Sequence, residues 1–410
     1  MIIPRNRPNF EFKDLLEIYP RLIKNREVIE EQCIASLEKI TGFKYIILFP
    51  FARSAIYTLL NALNIKEKEI ILPSYICKVV PQAVLLSQNR PVFIDILEKD
   101  FNIDLSQIKT NINQNTGVII PALMYGNPLT DDLDTAVLQK NNILLIEDAA
   151  MAFGNRNLLS LRYPYSCVVY SFNIGKIISS IEGGMIATNN KQIYDKLNQY
   201  IYNNILSQAL YGKVRIILKY FTILLFFNDF FYKLIYLLRK SEYLSTKIAL
   251  DTSLKIDIDT FRIKNISNLQ MLLLLSQIKK LDFEYKKREE LFDYFNNNFS
   301  IMDEIQLPQK IDGSSLSHYT LITKNIKRDF LRKELHKSGI ETIQAYDYSI
   351  PYLKEYSNYK GDREYPVALY ISKHSITLPF YYRLSFKQAE HIVKMCKKII
   401  LYSKQKSSNV

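Results

Sequence analysis

Short apolar runs alternate with amphipathic ones between residues 45 and 188, and this alternation constrains the fold more than any other feature of the chain. The runs are Tyr45 to Phe49, Glu69 to Leu72, Val92 to Ile96, Val118 to Leu123, Ile143 to Ile146, Cys167 to Phe172 and Gly184 to Thr188. Each is brief and mostly apolar, as a strand buried on both faces has to be. Segments between several of them, such as Ala55 to Leu63 and Asp131 to Lys140, have helical periodicity or helix-forming composition. The alternation predicts an α/β domain built on a mostly parallel, seven-stranded sheet. After Asp257 the pattern changes. Asn268 to Asn296 reads as one long helix, Ser317 to Thr323 as a strand, and Arg328 to Lys337 as a helix capped at Gly339. Glu341 to Tyr346 and Ser375 to Leu378 are further strand candidates, and Phe386 to Leu401 is a closing helix. These predict a smaller α+β C-terminal domain, and 410 residues with 48% hydrophobic content can fill both cores.

In a parallel sheet ligands gather outside the carboxyl ends of the strands. Asp148 follows one such end, in Ile146-Glu147-Asp148-Ala149-Ala150, and Lys176 lies just beyond another, in Tyr170-Ser171-Phe172-Asn173-Ile174-Gly175-Lys176. A lysine amine forms a Schiff base with an aldehyde when its pKa falls far enough to leave free amine near neutrality. An aspartate beside a pyridine nitrogen keeps that ring protonated and able to draw electrons from a carbanion. The pair therefore suits pyridoxal phosphate. Each residue alone has a plainer reading, Lys176 as a solvated loop lysine and Asp148 as a helix cap. For the phosphate, Phe51-Ala52-Arg53-Ser54 precedes the helix-like Ala55 to Leu63, so backbone N–H groups and the Ser54 hydroxyl can face an anion, with Arg53 adding charge. Ser54 as a simple helix cap is the alternative. Ser171 is a second candidate, or an ordinary turn residue.

The net charge of +13 invites nucleic acid, but the lysines are spread along the chain and no DNA or RNA motif accompanies them. A basic surface equally attracts a sugar nucleotide or an acidic lipid. Cys33, Cys77, Cys167 and Cys396 lie far apart without CxxC spacing, which predicts reduced thiols in a cytosolic protein. His318, His336, His374 and His391 show no metal-pair spacing and read as surface or helix residues. Met1-Ile2-Ile3-Pro4-Arg5 breaks too early for a signal peptide, so export is not expected.

An ordered series of motifs now carries a resemblance. It runs Phe51-Ala52-Arg53-Ser54-Ala55, Leu72-Pro73-Ser74-Tyr75, Pro91-Val92-Phe93-Ile94-Asp95, Tyr125-Gly126-Asn127-Pro128, Glu147-Asp148-Ala149-Ala150, Ser171 through Lys176, and Glu182-Gly183-Gly184, with Gly339-Ile340-Glu341-Thr342 and Leu378-Pro379-Phe380 late in the chain. The series resembles the DegT family of sugar-nucleotide aminotransferases, fold type I pyridoxal phosphate enzymes, over residues 15 to 200 and 262 to 400. The resemblance implies an aspartate-aminotransferase-like large domain and a homodimer with active sites at its interface. It implies that Lys176 anchors the cofactor and shuttles protons, that Asp148 holds the pyridinium nitrogen, and that Ser171, Ser54 and Arg53 lie around the phosphate. A lysine at this position argues against the family's dehydratase branch, where histidine replaces it. The substrates implied are an amino acid donor such as glutamate and a nucleotide-linked keto-sugar. A non-catalytic relative that binds cofactor or sugar nucleotide as a regulator or scaffold is the alternative.

The chain departs from the family pattern around the cofactor. Ala52-Arg53 stand for Gly-Thr at the phosphate turn, Met151 for a glutamine, and Cys77 for the ring that stacks on the pyridine, with Tyr75 nearby and Phe153 as another ring source. Ile181-Glu182-Gly183-Gly184 stands for Gly-Glu-Gly-Gly, and Ile263-Lys264-Asn265 for Asn-x-Arg, leaving Arg262 or Asn265 to reach a second subunit's phosphate. The chain is also longer than the family needs between Lys176 and Asn265, and the excess centres on Tyr211 to Lys240. That segment carries Lys213, Arg215, Lys219, Lys233, Arg239 and Lys240 against Asp229, with Phe221, Phe226, Phe227, Phe230 and Phe231 between. It fits a helix lying in a membrane interface, which would place a cytoplasmic enzyme peripherally at the inner membrane face, or a hairpin packed on the dimer or over the site. The uncharged run from Lys219 to Asp229 is too short for a span. The expected organisation is 1–205 for the N-terminal segment and cofactor-binding domain, 206–260 for the insertion, and 261–410 for the connecting helix and small domain.

Overall fold

The computed structural model describes residues 1–410 except 132, 206–209, 227–230, 234–235, 237–256 and 408–410; of 210–213, 226 and 406–407 it describes the backbone only. The sheet contains β1 (Tyr45–Phe49), β2 (Glu69–Pro73), β3 (Arg90–Ile94), β4 (Thr116–Ile119), β5 (Leu144–Asp148), β6 (Ser166–Ser171) and β7 (Gly184–Thr188). The seven strands are those the apolar runs predict, and their order is β1-β7-β6-β5-β4-β2-β3. All neighbours pair in parallel except β7, which is antiparallel to both β6 and β1.

Alternate residues explain the hydrophobicity of the runs. In β5, Leu144 and Ile146 enter one core with Ile70, Leu72, Val118 and Val169, whereas Leu145 enters another with Ile71, Ile119 and Val168. Both faces are dry, and Glu147, the buried charged residue within β5, is satisfied by the N–H groups of Leu159 and Ser160 at 3.0 and 2.7 Å. The helices are α1 (Phe12–Ile18), α2 (Arg26–Thr41), α3 (Ala52–Ala62), α4 (Val79–Leu86), the short α5 (Ile108–Asn111), α6 (Thr135–Lys140), α7 (Lys191–Asn204), α8 (Leu210–Phe226), α9 (Asn268–Ile278), α10 (Leu281–Phe299), α11 (Arg328–Lys337), the short α12 (Ser357–Lys360), α13 (Pro366–His374) and α14 (Phe386–Ser407). Leu59 and Leu60 of α3, Val84 of α4 and Leu197 of α7 cover the first face, and Cys33 and Leu37 of α2 with Leu272 to Leu275 of α9 cover the second. A third core joins α10, α11 and α14 to the antiparallel sheet of β8 (Ile305–Gln306), β9 (Tyr319–Thr323) and β10 (Ser375–Leu378), through Phe292, Phe295, Leu335 and Ile392.

Four elements differ from the sequence expectation, each for a local reason. The run Val118 to Leu123 leaves the ladder at Ile119 because Pro121 has no N–H, though Ala122 still bridges to Asp148. Strand β3 stops at Ile94 rather than Ile96, because the Asp95 carboxylate turns to accept the N–H groups of Val367 and Ala368, each at 2.9 Å, and so caps α13. The helix expected over Asn268 to Asn296 is broken after Ile278, and the turn sends Lys279 to Glu17 and Lys280 to Asp14 on α1, at 2.8 and 2.7 Å. The segment Glu341 to Tyr346 is not a strand. Its backbone groups are split between partners, Glu341 N–H donating to Ile3 O at 3.0 Å and Ile343 pairing with Thr377 of β10.

The Asp95 cap ties the large-domain sheet to the helix before β10, and it also accepts from Ser74 Oγ at 3.2 Å. Asp95→Ala should therefore cost about 2 kcal/mol of stability, since it orphans two helix N–H groups as well as a buried hydroxyl. Chemical denaturation of the purified variant checks this.

Candidate active site

Asp148 and Ser171 are the last residues of adjacent strands, and only Pro50 and Phe51 separate the end of β1 from the start of α3. The carboxyl ends of β5 and β6 therefore face the amino end of α3 across one cavity. Its wall includes Ala52, Arg53, Asp148, Met151, Ser171 and Lys176, with Cys77, Asn173 and Tyr346 completing it. The α3 amides can approach because Gly184 begins β7 there: a Cβ on it would lie 2.4 Å from both Ala52 N and Phe51 C.

Lys176 rides on the loop joining β6 to β7. Phe172 N–H donates to Gly183 O at 2.9 Å, Ser180 N–H to Phe172 O at 2.9 Å, and Ile174 N–H to Ile181 O at 3.1 Å, so the loop is laced along its length. Gly175, at φ +96°, turns the chain just before the lysine. Ile181 also sits at positive φ, +75°, a conformation that costs a β-branched residue of order 1–3 kcal/mol and is held by the lacing and by burial of its side chain. The glycine that the family pattern has at this position would adopt it freely.

The electrostatics of the pair are opposed by burial. Burial pulls the Lys176 amine below the usual lysine pKa, with Cys77 and Asp148 pulling it partly back. Burial likewise raises the Asp148 carboxyl, against the Ala150 N–H, which donates to Oδ1 at 3.0 Å, and against the Lys176 charge. The part of Lys176 that remains exposed opens onto cavities on two sides. The second is walled by Arg5, Asn6, Tyr232, Ser317, His318 and Thr377, with Ile343, Leu378 and Phe380.

Five of the residues singled out from sequence thus meet around one cavity: Lys176, Asp148, Ser171, Arg53 and Met151. Three do not line it. The Ser54 hydroxyl is spent inside its own helix start, donating to Phe51 O at 2.7 Å and accepting from Phe51 N at 3.3 Å, so the simple cap describes it. Tyr75 is fully buried behind the wall, its hydroxyl 3.0 Å from that of Tyr125 and its ring edge-on to Tyr346 at 5.3 Å. Asn265 is exposed, and neither it nor Arg262, which pairs with Asp259 at 3.6 Å, reaches the cavity of its own chain. Phe153 packs edge-on to Tyr170 and Phe172 in the core and contributes no ring.

Tyr346 supplies the aromatic wall instead, a residue that sequence reasoning placed only as the end of a strand. His318 is likewise no surface residue: its Nδ1 lies 2.9 Å from Ser317 Oγ, its ring packs on Tyr125, and burial first, then Lys176 and Arg288, pushes its pKa down to about 3. It stays neutral beside the lysine. The insertion reaches the site as well. Arg215 Nη2 on α8 donates to Glu182 Oε2 at 2.6 Å, Lys219 pairs with the other oxygen, and Gln270 Nε2 donates to Glu182 O at 2.6 Å. Ile216, Tyr220 and Leu224 join the core beneath. Phe227, Asp229, Phe230, Arg239 and Lys240 lie outside the described residues, as do the side chains of Lys213 and Phe226.

Residues 30–213 and 261–397 match the model of the DegT/DnrJ/EryC1/StrS aminotransferase family. The chain belongs to that family. It is 26% identical over 376 residues to the uncharacterized protein MJ1066 of Methanocaldococcus jannaschii, covering 88% of this chain and 86% of that one. It is 30% identical over 200 residues to the dTDP-4-amino-4,6-dideoxy-D-glucose transaminase of Shigella dysenteriae, an alignment spanning 48% of this chain and 54% of the relative. Among solved structures it shares its fold with Helicobacter pylori PseC, an aminotransferase involved in pseudoaminic acid biosynthesis, at a TM-score of 0.73 and 20% identity, covering 98% of this chain and 100% of PseC.

Aminotransferases of the family depend on pyridoxal phosphate, and the cavity fits that group. The first-turn amides of α3 with Arg53 and Ser171 would take its phosphate, Asp148 its ring nitrogen, and Lys176 its aldehyde. Met151 and Cys77 offer the ring apolar and sulfur contacts in place of an amide and an aromatic face.

A lysine whose folded pKa is depressed loses stability while charged. That cost is complete below the folded pKa and vanishes above about 10.4, where the unfolded amine is neutral too. Lys176→Met should therefore raise the melting temperature of the cofactor-free protein at neutral pH, and the gain should shrink as pH rises toward the ordinary lysine range. Calorimetry across pH tests this.

Proposed function

We propose that the chain moves an amino group from an amino acid, glutamate by preference, to a keto-sugar carried on a nucleotide diphosphate, making an amino sugar for a cell-surface glycan or natural product. One observation carries the reading: Lys176 stands between two cavities, one closed by Asp148 and the start of α3, the other walled mainly by hydroxyl, amide and apolar groups. Bound pyridoxal phosphate supplies the electron sink and carries the amino group from one half-reaction to the next. The protein's own work is positional and acid–base. Burial lowers the Lys176 pKa and so favours the free amine, the form that takes a proton from the substrate carbon and returns it. Asp148 would set its carboxylate against the ring nitrogen and keep the ring protonated. His318, held neutral, adds no competing charge beside the amine.

Protein loaded with pyridoxal phosphate should absorb visible light and be bleached by glutamate. It should also be bleached by dTDP-4-amino-4,6-dideoxy-D-glucose, or by a GDP- or UDP-linked counterpart, running the second half-reaction in reverse. Lys176→Ala should abolish bleaching by either class, a loss of at least about 10³-fold. A spectrum unmoved by added cofactor would defeat the reading.

We also propose a cytoplasmic homodimer that touches an anionic membrane surface through α8. Exposed Asn265 and Arg262 support a reach toward a second chain. Val214, Ile217, Leu218, Phe221 and Leu225 are all more than 40% exposed along one stripe of α8, and with the +13 net charge they support lipid contact. Among the described residues no helix is long and apolar enough to cross a membrane. Co-sedimentation with phosphatidylserine vesicles should weaken with salt and fall in the Leu218→Ser/Phe221→Ser variant; equal sedimentation of variant and parent would remove the lipid from the proposal.

A further inference from the structure

Tyr232 comes from the stretch between the two regions that match the family model, yet it stands in the wall of the second cavity beside Lys176. The inserted segment is pinned on both sides of it. Toward the N-terminus, Arg215 and Lys219 grip Glu182, which is 8% exposed and lies at the foot of the loop that carries Lys176. Toward the C-terminus, the Tyr236 hydroxyl donates to His336 O, and the two rings lie 5.0 Å apart. Tyr232 itself donates to Glu341 Oε2, the oxygen that also accepts the Arg5 N–H at 3.3 Å. The phenol is therefore oriented in the wall of the cavity.

The chemistry of the wall selects what Tyr232 can meet. Asn6, Ser317, Thr377 and the phenol offer donors and acceptors, interleaved with Ile343, Leu378 and Phe380, and among the described residues the cations in the wall are Arg5 and Lys176. A hydroxylated ring with apolar faces suits that mixture. A diphosphate would call for more positive charge, and an α-amino acid needs little beyond one cation for its carboxylate. We propose that Tyr232 is a specificity-determining residue for the sugar half-reaction, its ring and phenol oxygen receiving the pyranose of the nucleotide-linked substrate, with the Arg215–Glu182–Lys219 cluster as the positioning group that holds it there. The assignment rests on the sugar reading given above. It makes the insertion a chain-specific part of the substrate pocket, joined through Glu182 to the loop of the reactive lysine.

The test uses the holoenzyme and follows each half-reaction separately by the cofactor's absorbance, with glutamate in one and dTDP-4-amino-4,6-dideoxy-D-glucose or its GDP- or UDP-linked counterparts in the other. Tyr232→Ala should raise KM for the amino sugar about ten-fold or more while the KM for glutamate moves less than about two-fold, a split of the size a pocket contact gives. Tyr232→Phe, which keeps the ring and the fold, should fall between variant and parent. Arg215→Met/Lys219→Met should shift the amino-sugar KM in the same direction, and a melting temperature near the parent's in Tyr232→Phe controls for folding. Equal effects on both half-reactions, or an unchanged amino-sugar KM in Tyr232→Ala, would refute the assignment to Tyr232 and leave the sugar reading standing. A parent enzyme bleached by glutamate but by none of the amino sugars would instead remove the sugar reading and this assignment together.

Discussion

One amine and one carboxylate have to be kept out of water at the carboxyl edge of a dry sheet, and most of the structure can be read as meeting that demand. Desolvation acts against both charges, raising Asp148 and lowering Lys176, and their mutual attraction offsets only part of it. A flexible scaffold would relax and hydrate them. The scaffold here offers little relaxation, because β5 and β6 are buried on both faces and paired in parallel from Leu145 opposite Ser166 to Asp148 opposite Val169. The same burial that makes the strands largely apolar leaves their last residues, Asp148 and Ser171, at the edge where the cavity opens.

The loop that carries Lys176 meets the demand differently. Its ends are set by strand pairing, Ser171 opposite Gly184, and its interior by backbone bonds, so a segment with two left-handed residues is ordered without a strand of its own. Ile181 holds a conformation that disfavours its side chain, and the burial of that side chain is the compensation. Glu182 then joins this loop to α8 and α9 at once. With α8 anchored on the loop of the reactive lysine, this part of the insertion is coupled to the site, which argues against regarding it as an ornament on the surface. It also redirects the basic residues that first suggested lipid. Arg215 and Lys219 reach a carboxylate, and the exposed stripe Val214, Ile217, Leu218, Phe221 and Leu225 of α8 is apolar.

The strands and the Lys176–Asp148 pairing were legible in the sequence because each depends on local pattern: a run of apolar residues, then a polar one where the run ends. Arg53, Ser171 and Met151 followed from their positions relative to those ends. What escaped depends on contacts distant in sequence. Tyr346 reaches the cavity only because Glu341 to Tyr346 divides its backbone bonds between residue 3 and β10, a division that no periodicity encodes. His318 looked like a surface residue until β9 placed it against Tyr125. Ser54 and Tyr75 were over-read for the opposite reason: the motif fixed their neighbourhood, but a hydroxyl turns to its nearest unpaired partner, Phe51 for one and Tyr125 for the other.

Four of the departures from the family pattern share a physical direction. Ala for glycine at the turn, methionine for glutamine, cysteine for an aromatic ring and isoleucine for glycine all remove a polar group, a ring face or backbone freedom, whereas Arg53 for threonine adds a charge at the same turn. The compensation lies in the backbone and in residues from the small domain. Gly184 keeps the close approach of α3 that the turn itself no longer guarantees, and Tyr346, braced edge-on by Tyr75, returns an aromatic surface to the cavity. A site altered in this way holds its cofactor less by individual polar contacts and more by shape. Shape is supplied by packing between the large and small domains, so the cost of a mutation in the small domain should be felt at the cofactor even where no residue touches it.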